Sequence, residues 1–91
     1  MKKIYSISYD LRRPGQNYTA LYDAIKSLDT SCQHPLESTW YIRSSFSAQE
    51  IYDALRSNID NGDFLMIQAV DVYNKQGWMP KTFWAWMNEG I

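Results

Sequence analysis

The first residues of the chain alternate between larger apolar side chains and small or polar ones. This period of two over residues 3–10 predicts a β-strand whose two faces differ in character. One face carries Tyr5, Ile7 and Tyr9, and the other carries Ile4, Ser6, Ser8 and Asp10. The strand ends before Pro14-Gly15, which is a strong turn signal.

Two later segments have the spacing of amphipathic helices. The first begins at Asn17, a residue suited to an N-cap, and the second begins where Ser47 and Glu50 match a capping box. The turn residues Asn61-Gly62 are expected to end the second helix. The positions expected to be buried are Tyr18, Leu21, Tyr22, Ile25 and Leu28 in the first helix and Ile51, Ala54, Leu55 and Ile59 in the second.

The remaining segments favour strands and a short terminal helix. Residues 36–45 have the composition of a β-strand, with a bulge near Glu37-Ser38. Whether the polar segment 29–35 contains another short strand is left undecided by the sequence. Residues 64–72 are apolar on both faces, which is typical of a strand covered on both sides. After a turn at Gln76-Gly77, Pro80 is expected to begin a terminal helix.

This order of elements predicts an α+β domain. If residues 30–45 supply two strands, the order is βαββαβ, the ferredoxin-like plan with an antiparallel sheet and both helices on one face. The other face then needs a cover, either from the aromatic tail or from a second subunit in a homodimer. The residues expected in this dimer or packing face are Ile4, Ser6, Ser8, Phe64, Met66, Val70 and Trp84.

The composition narrows the class of protein. A chain of 91 residues, 45% hydrophobic, suits one domain, with its core over residues 1–72 and an aromatic tail over 73–91. A single cysteine excludes a disulfide framework. No apolar run has the length of a membrane span or of a signal peptide, so we expect a cytoplasmic protein without membrane contact. The formal charge of −1 argues against a strongly basic nucleic-acid binder.

The tail contains several of the aromatic residues that make up 15% of the chain. Aromatic side chains can stack on single-stranded bases, but that mode of binding also needs a basic groove. The basic residues of the tail are Lys75 and Lys81 alone, so packing is the favoured interpretation. The aromatic residues expected to cover the second sheet face are Trp78, Phe83, Trp84 and Trp86.

Asp10 is the main candidate for chemistry because it ends the first strand on the face opposite the core. A carboxylate in this position suits Mg²⁺, which often takes one or two protein carboxylates. The same side chain can instead cap the following turn. Arg12 and Arg13, close in sequence to Lys2 and Lys3, can contact a phosphate, or stay solvated, or pair with Asp10.

Other candidates carry weaker signals. The small hydroxyl residues Ser6, Ser8, Ser38 and Thr39 can line the open sheet face or pack closely against a second subunit. Cys32 and His34 give a weak signal for a metal site or a nucleophile. The acidic residues Glu50, Asp53, Asp60 and Asp63 are interpreted as part of a solvated face.

Residues 4–11, 37–40 and 63–67 together resemble the "Cas two" superfamily of small CRISPR-associated proteins, to which the VapD toxins are related. The likeness covers residues 1–72 and is greatest to short bacterial and phage-borne relatives that often carry a SinR label. Its most group-specific features are Ser8-Tyr9-Asp10 and residues 14–18.

The resemblance implies a ferredoxin-like homodimer whose open sheet faces meet. Asp10 would then lie near the two-fold axis in a magnesium-dependent, phosphodiester-cleaving role, with Ser38 in the same cleft and Arg12 or Arg13 contacting the phosphate. The tail departs from the superfamily, whose members usually end in a further strand that crosses the dimer and meets an integrase. A role in spacer acquisition is therefore not expected.

Two functions of different classes follow. The first is a small dimeric nucleic-acid-acting protein, a magnesium-dependent nuclease that acts on RNA rather than DNA. The alternative is a non-catalytic dimeric module that binds nucleic acid or a protein partner in phage–host conflict or a toxin–antitoxin setting.

Overall fold

The computed structural model describes residues 1–12 and 18–89, which form four strands and three helices. The elements follow in the order β1 (Lys3–Asp10), α1 (Thr19–Leu28), β2 (Gln33–Leu36), β3 (Thr39–Ser44), α2 (Ala48–Leu55), β4 (Phe64–Ala69) and α3 (Lys81–Met87). A 3₁₀ turn over Arg56–Asn58 follows α2. The strands form an antiparallel sheet in the order β2-β3-β1-β4. The predicted α+β class is confirmed.

No helix in the described ranges is long and apolar enough to cross a membrane.

Helices α1 and α2 pack on the same face of the sheet. The alternation of β1 directs Tyr5, Ile7 and Tyr9 toward them, as predicted, and Ile7 pairs in register with Trp40 of β3 and Ile67 of β4. The side chains that are fully buried belong to this cluster, and they are Ile7, Leu21, Ile25, Ile42, Ile51 and Leu55. The capping box of Ser47 and Glu50 is present at the start of α2.

Helix α3 covers one end of the opposite face. Phe83, Trp86 and Met87 pack on Ile4, and this cluster also contacts Tyr41, Val70 and Trp84. The tail therefore covers part of its own sheet. This was one of the two possibilities that the sequence allowed, the other being a second subunit.

Arg43 of β3 holds α3 in place. Its guanidinium lies over the Trp86 ring at 4.6 Å from the ring centroid, and its Nη2 donates to the Trp86 carbonyl oxygen at 2.8 Å. A charge-assisted hydrogen bond and a cation–π contact thus act on the same residue of a short helix.

The other end of this face is exposed. Phe64 and Met66 are 61% and 60% exposed, and they lie opposite Asp10 and Ser8 in register. We call the surface formed by Ser8, Asp10, Thr39, Phe64 and Met66 the open half-face. The predicted packing face is therefore divided, since Ile4, Val70 and Trp84 lie at α3 whereas Phe64 and Met66 do not.

Two predicted strand bounds are wrong. Glu37-Ser38 is the turn of a hairpin between β2 and β3 rather than a bulge within one strand. β4 ends at Ala69 rather than at residue 72, and its ladder with β1 ends at the Tyr5–Ala69 pair. The last bond along this edge runs from the Val70 amide to the Ile4 carbonyl oxygen, at 2.8 Å.

Helix α2 is shorter than predicted and ends at Leu55, well before Asn61-Gly62. The Asn58 side chain donates to the carbonyl oxygens of Ala54 and Leu55, a local bond of the kind that competes with helix continuation. Ala54 is exposed rather than buried. The turn after β4 lies at Val72-Tyr73 instead of Gln76-Gly77.

Two aromatic residues assigned to packing are exposed. Trp78 is 100% exposed, because the segment before α3 passes outside the cluster that the helix itself completes. Tyr18 occupies the N-cap position of α1 without a side-chain capping bond. Its ring packs beside that of Tyr22, with the two ring centroids 5.9 Å apart. The predicted cap Asn17 lies outside the described residues.

Candidate functional site

Asp10 is the last residue of β1, and the alternation of the strand places its side chain on the open half-face. Its Oδ2 lies 3.5 Å from Nη1 of Arg12, and both side chains are more than half exposed. The Arg12 guanidinium also lies over the Phe64 ring, 5.2 Å from its centroid. Because an exposed ion pair of this kind contributes little stability, the Asp10 carboxylate stays accessible to a ligand.

A buried carboxylate positions the segment that carries Arg12. Asp63 is 7% exposed, and its Oδ1 accepts the Arg12 amide at 2.8 Å while its Oδ2 accepts the Asp60 amide at 2.8 Å. The interpretation of Asp63 as part of a solvated face is therefore wrong. The sequence did contain a signal for this structural role. Asp63 directly follows the Asn61-Gly62 turn, and aspartate often bonds to the backbone amides of turns.

The basic residues near the N-terminus do not form one edge. Lys2 and Lys3 lie at the start of β1 and Arg12 follows its end. Eight strand residues at about 3.3 Å each separate them by roughly 25 Å. Arg13 lies outside the described residues, so its predicted phosphate contact stays a prediction.

The structure brings Ser38 and Asp10 to one cavity of about 320 Å³. Ser38 reaches it from the β2–β3 turn rather than from a strand. We call this space the tyrosine cavity, and its described lining residues are Tyr9, Asp10, Leu11, Tyr18, Tyr22, Glu37 and Ser38. Glu37 is a lining residue that sequence reasoning missed, because only the hairpin turn brings it beside the end of β1.

The hydroxyls of the open sheet face are already engaged. Ser8 Oγ and Thr39 Oγ1 are 3.2 Å apart across the β1–β3 pair, and Ser6 Oγ donates to the Gln68 carbonyl oxygen at 3.5 Å. These residues share the face that carries Asp10, as predicted.

A hydrogen-bond network fixes the inner wall of the tyrosine cavity. The Tyr9 hydroxyl accepts from Trp40 Nε1 at 3.1 Å and lies 3.3 Å from two acceptors, the Tyr22 hydroxyl and the Glu37 carbonyl oxygen. Burial, together with the bond to Tyr22, raises the pKa of the Tyr9 phenol. Tyr9 therefore acts as a neutral donor and not as a base.

His34 and Cys32 contribute packing to this region. The His34 ring stacks on Trp40 with centroids 4.0 Å apart, and its Nε2 lies 3.0 Å from the Glu37 carbonyl oxygen. Burial raises the pKa of the Cys32 thiol, which lowers its thiolate fraction and its nucleophilicity.

The donor types in the site suit magnesium, but one chain supplies few of them. Asp10, Glu37 and Ser38 offer the oxygen atoms that Mg²⁺ prefers. Within residues 1–12 and 18–89, no group of three or more His, Cys, Asp or Glu side chains could hold a metal ion. Water, a substrate phosphate or a second copy of the chain would therefore have to complete the coordination.

No known protein family, curated protein or solved structure matches this chain. The resemblance to the "Cas two" superfamily stays a prediction from the residues.

Proposed function

We propose that this protein forms a two-fold dimer that acts on nucleic acid, with Asp10 at a magnesium-dependent site that cleaves phosphodiester bonds in RNA rather than DNA. The observation that carries the proposal is the place of Asp10, an exposed carboxylate at the end of β1 and at the rim of the open half-face. Arg12, at 3.5 Å, provides a cation at the same point.

The exposed apolar side chains support the dimer. Phe64 and Met66 are neighbours on β4 and lie beside Asp10 and Ser8 in register. A contiguous exposed apolar surface is typical of an interaction site. Because a two-fold interface uses the same patch on both subunits, burying Phe64 and Met66 there would bring the two Asp10 carboxylates toward each other.

We propose the ferredoxin-like plan for the fold that presents this site, with α3 as an added element. Support comes from the sheet order β2-β3-β1-β4, from the antiparallel pairing of all neighbours, and from the position of α1 and α2 on one face. In this plan the uncovered sheet face is the surface on which Asp10 lies.

The residues of the site would have separate roles. Asp10 would hold the magnesium ion, with water, phosphate oxygens and the partner copy as the other ligands. When bound, the ion lowers the pKa of a coordinated water and neutralises phosphate charge. Arg12 would contact the phosphate through its guanidinium. In the Ser8–Thr39 pair, the hydroxyl that accepts from the other would donate its own hydrogen to a phosphate oxygen.

The test is cleavage of RNA and DNA oligonucleotides by the wild type, Asp10→Asn and Asp23→Asn, each with Mg²⁺ or with EDTA. Asp23 is an exposed carboxylate on α1 and serves as the matched control. We expect activity on RNA that requires Mg²⁺, falls at least about a hundredfold in Asp10→Asn and persists in Asp23→Asn. Equal activity of the two variants would contradict the assignment.

The Asp10–Arg12 ion pair favours one alternative, a non-catalytic dimeric module in which the pair organises a binding surface. Such a module would bind oligonucleotides without turnover, and its affinity would fall as salt rises. Arg12→Gln would then weaken binding, whereas a protein partner would be indicated if no salt-sensitive nucleic-acid affinity is measured.

A further inference from the structure

The tyrosine cavity has an unusual lining for a protein proposed to act on nucleic acid. Three tyrosines, the two acidic residues Asp10 and Glu37, and Ser38 line one space of about 320 Å³. This size lies within the range of small-molecule sites. Among the described lining residues there is no lysine or arginine, and the two charged ones, Asp10 and Glu37, are acidic.

The rings are arranged as a curved wall. Tyr18 and Tyr22 have centroids 5.9 Å apart with planes inclined by 44°, and Tyr9 and Tyr22 have centroids 6.3 Å apart with planes inclined by 50°. The face of an aromatic ring carries negative electrostatic potential and attracts cations. Several inclined rings around one space are therefore suited to surround a compact positive group.

The inner part of this wall is rigid. Tyr9 is held by Trp40 Nε1, and the Tyr22 ring packs on Trp40 at 5.1 Å between centroids. Tyr18 forms the outer rim and is 38% exposed. A wall that is already ordered loses less conformational freedom when a ligand binds.

In the described part of the chain, Asp10 forms an exposed ion pair with Arg12. Arg12 pairs with Asp10 but stacks over Phe64, on the open half-face, and it does not line the cavity. Glu37 is an exposed acidic residue that lines the cavity. Among the described lining residues, the charged groups therefore favour a cation over a phosphate.

From the rings, the exposed Glu37 and the cavity that they line together, we propose that the protein binds an organic ammonium ion between Tyr18 and Tyr22, with Glu37 as the counter-charge. The ligand is a small free amine or quaternary amine, or the ammonium group of a lysine side chain in a peptide. This site goes beyond phosphodiester cleavage and does not depend on it.

The direct test is a titration of the 91-residue wild type at pH 8, monitored by NMR of the tyrosine rings and by calorimetry. The probes are choline and its neutral isostere 3,3-dimethylbutan-1-ol, which differ in charge and hardly in shape. We expect choline to bind at least about fivefold more tightly and to shift Tyr18 and Tyr22 signals. Equal affinity for the two probes, or no shift of these signals, would overturn the proposal.

Two further probes distinguish the sources of the ammonium group. Spermidine represents a free amine, and a short peptide with one trimethyllysine represents a protein side chain. Tighter binding of spermidine than of the peptide assigns the site to small amines, and the reverse order assigns it to a protein partner. Failure of both probes and of choline rejects the site.

Matched variants separate the site from general surface effects. Tyr18→Leu and Tyr52→Leu remove rings that are each 38% exposed, but Tyr52 lies on α2, away from the cavity. We expect choline affinity to fall about three- to fivefold in Tyr18→Leu and not in Tyr52→Leu. Glu37→Gln should weaken choline binding relative to Glu89→Gln, and equal affinities within either pair would contradict the proposal.

The assay contains neither RNA nor Mg²⁺, so its outcome is independent of the cleavage test. Loss of cleavage with intact choline binding would reject only the proposed function. Intact cleavage without choline discrimination would reject only the ammonium site.

Discussion

The two faces of the sheet are formed by the same four strands, yet they are covered to very different degrees. On one face α1 and α2 enclose a continuous cluster in which Ile7, Ile42 and Ile51 are fully buried. On the other face α3 covers the end near Ile4 and leaves Phe64 exposed. Stability is therefore concentrated on the helix-covered face, and the exposed half of the other face is available for binding. The following substitutions test this division in order of decreasing effect on stability.

Ile42→Ala should have the largest effect, because Ile42 is fully buried under the helices. Truncation of a buried isoleucine leaves a cavity and typically costs 2–5 kcal/mol, so we expect a loss of about 3 kcal/mol in the free energy of unfolding. Urea denaturation followed by circular dichroism measures it. A loss below about 1 kcal/mol would contradict the concentration of stability on this face.

Phe83→Ala tests the end of the sheet that α3 covers. Phe83 is buried, but it belongs to a seven-residue helix that packs as a separate, smaller cluster. We expect a loss of about 2 kcal/mol, together with faster amide exchange confined to α3. A loss equal to that of Ile42→Ala, with exchange increased throughout the sheet, would show instead that α3 is part of the main core.

Asp29→Asn tests a carboxylate that links the two faces. Asp29 accepts the Arg43 amide at 2.9 Å and the amide and hydroxyl of Ser31 at 2.9 and 2.8 Å, while the Arg43 side chain holds Trp86 on the opposite face. Burial alone would raise the pKa of Asp29, but these hydrogen bonds outweigh it and hold the pKa below its usual value. We expect a loss of about 1 kcal/mol at pH 7.

The pH dependence of this effect has a definite sign. Because the folded-state pKa of Asp29 is depressed, its stabilisation is complete above the unfolded-state pKa of about 3.9 and is lost as pH falls through the folded-state value. The stability difference between wild type and Asp29→Asn should therefore shrink below about pH 4. Asp23→Asn is the control, and a difference that grows on acidification would contradict the assignment.

Phe64→Ser should have the smallest effect on the isolated chain. Its ring is 61% exposed, so we expect a change below about 0.5 kcal/mol in the unfolding free energy at low protein concentration. At high concentration the same substitution should dissociate the proposed dimer, as measured by analytical ultracentrifugation. A dimer that persists in Phe64→Ser would move the interface away from the open half-face.

Strongly patterned segments were predicted well from the sequence. The alternation of Ile4 to Asp10 predicted both the span and the faces of β1, and Ser47 with Glu50 predicted the start of α2. Both signals act within a few residues, so they do not depend on the rest of the fold.

Two of the errors share one physical cause, which is that distant contacts override local preference. Trp78 was expected to cover the sheet, but Phe83, Trp86 and Met87 occupy the sheet surface around Ile4 and Trp78 is exposed. Asp63 was expected in solvent, but it meets the Arg12 amide across 51 residues of sequence.

For the candidate site, local pattern placed Asp10 at the end of β1 on the face opposite the helices. Only the tertiary structure brought Tyr22 and Glu37 to the cavity that Asp10 also lines. The antiparallel pairing of β1 with β3 places the hairpin turn with Glu37 beside Tyr9, which is 28 residues earlier in the chain. Tertiary packing likewise decided that α3 covers one end of the sheet, since a short aromatic helix fits equally well, by its own sequence, on either end. Period and capping determine elements locally, whereas strand pairing determines which elements meet.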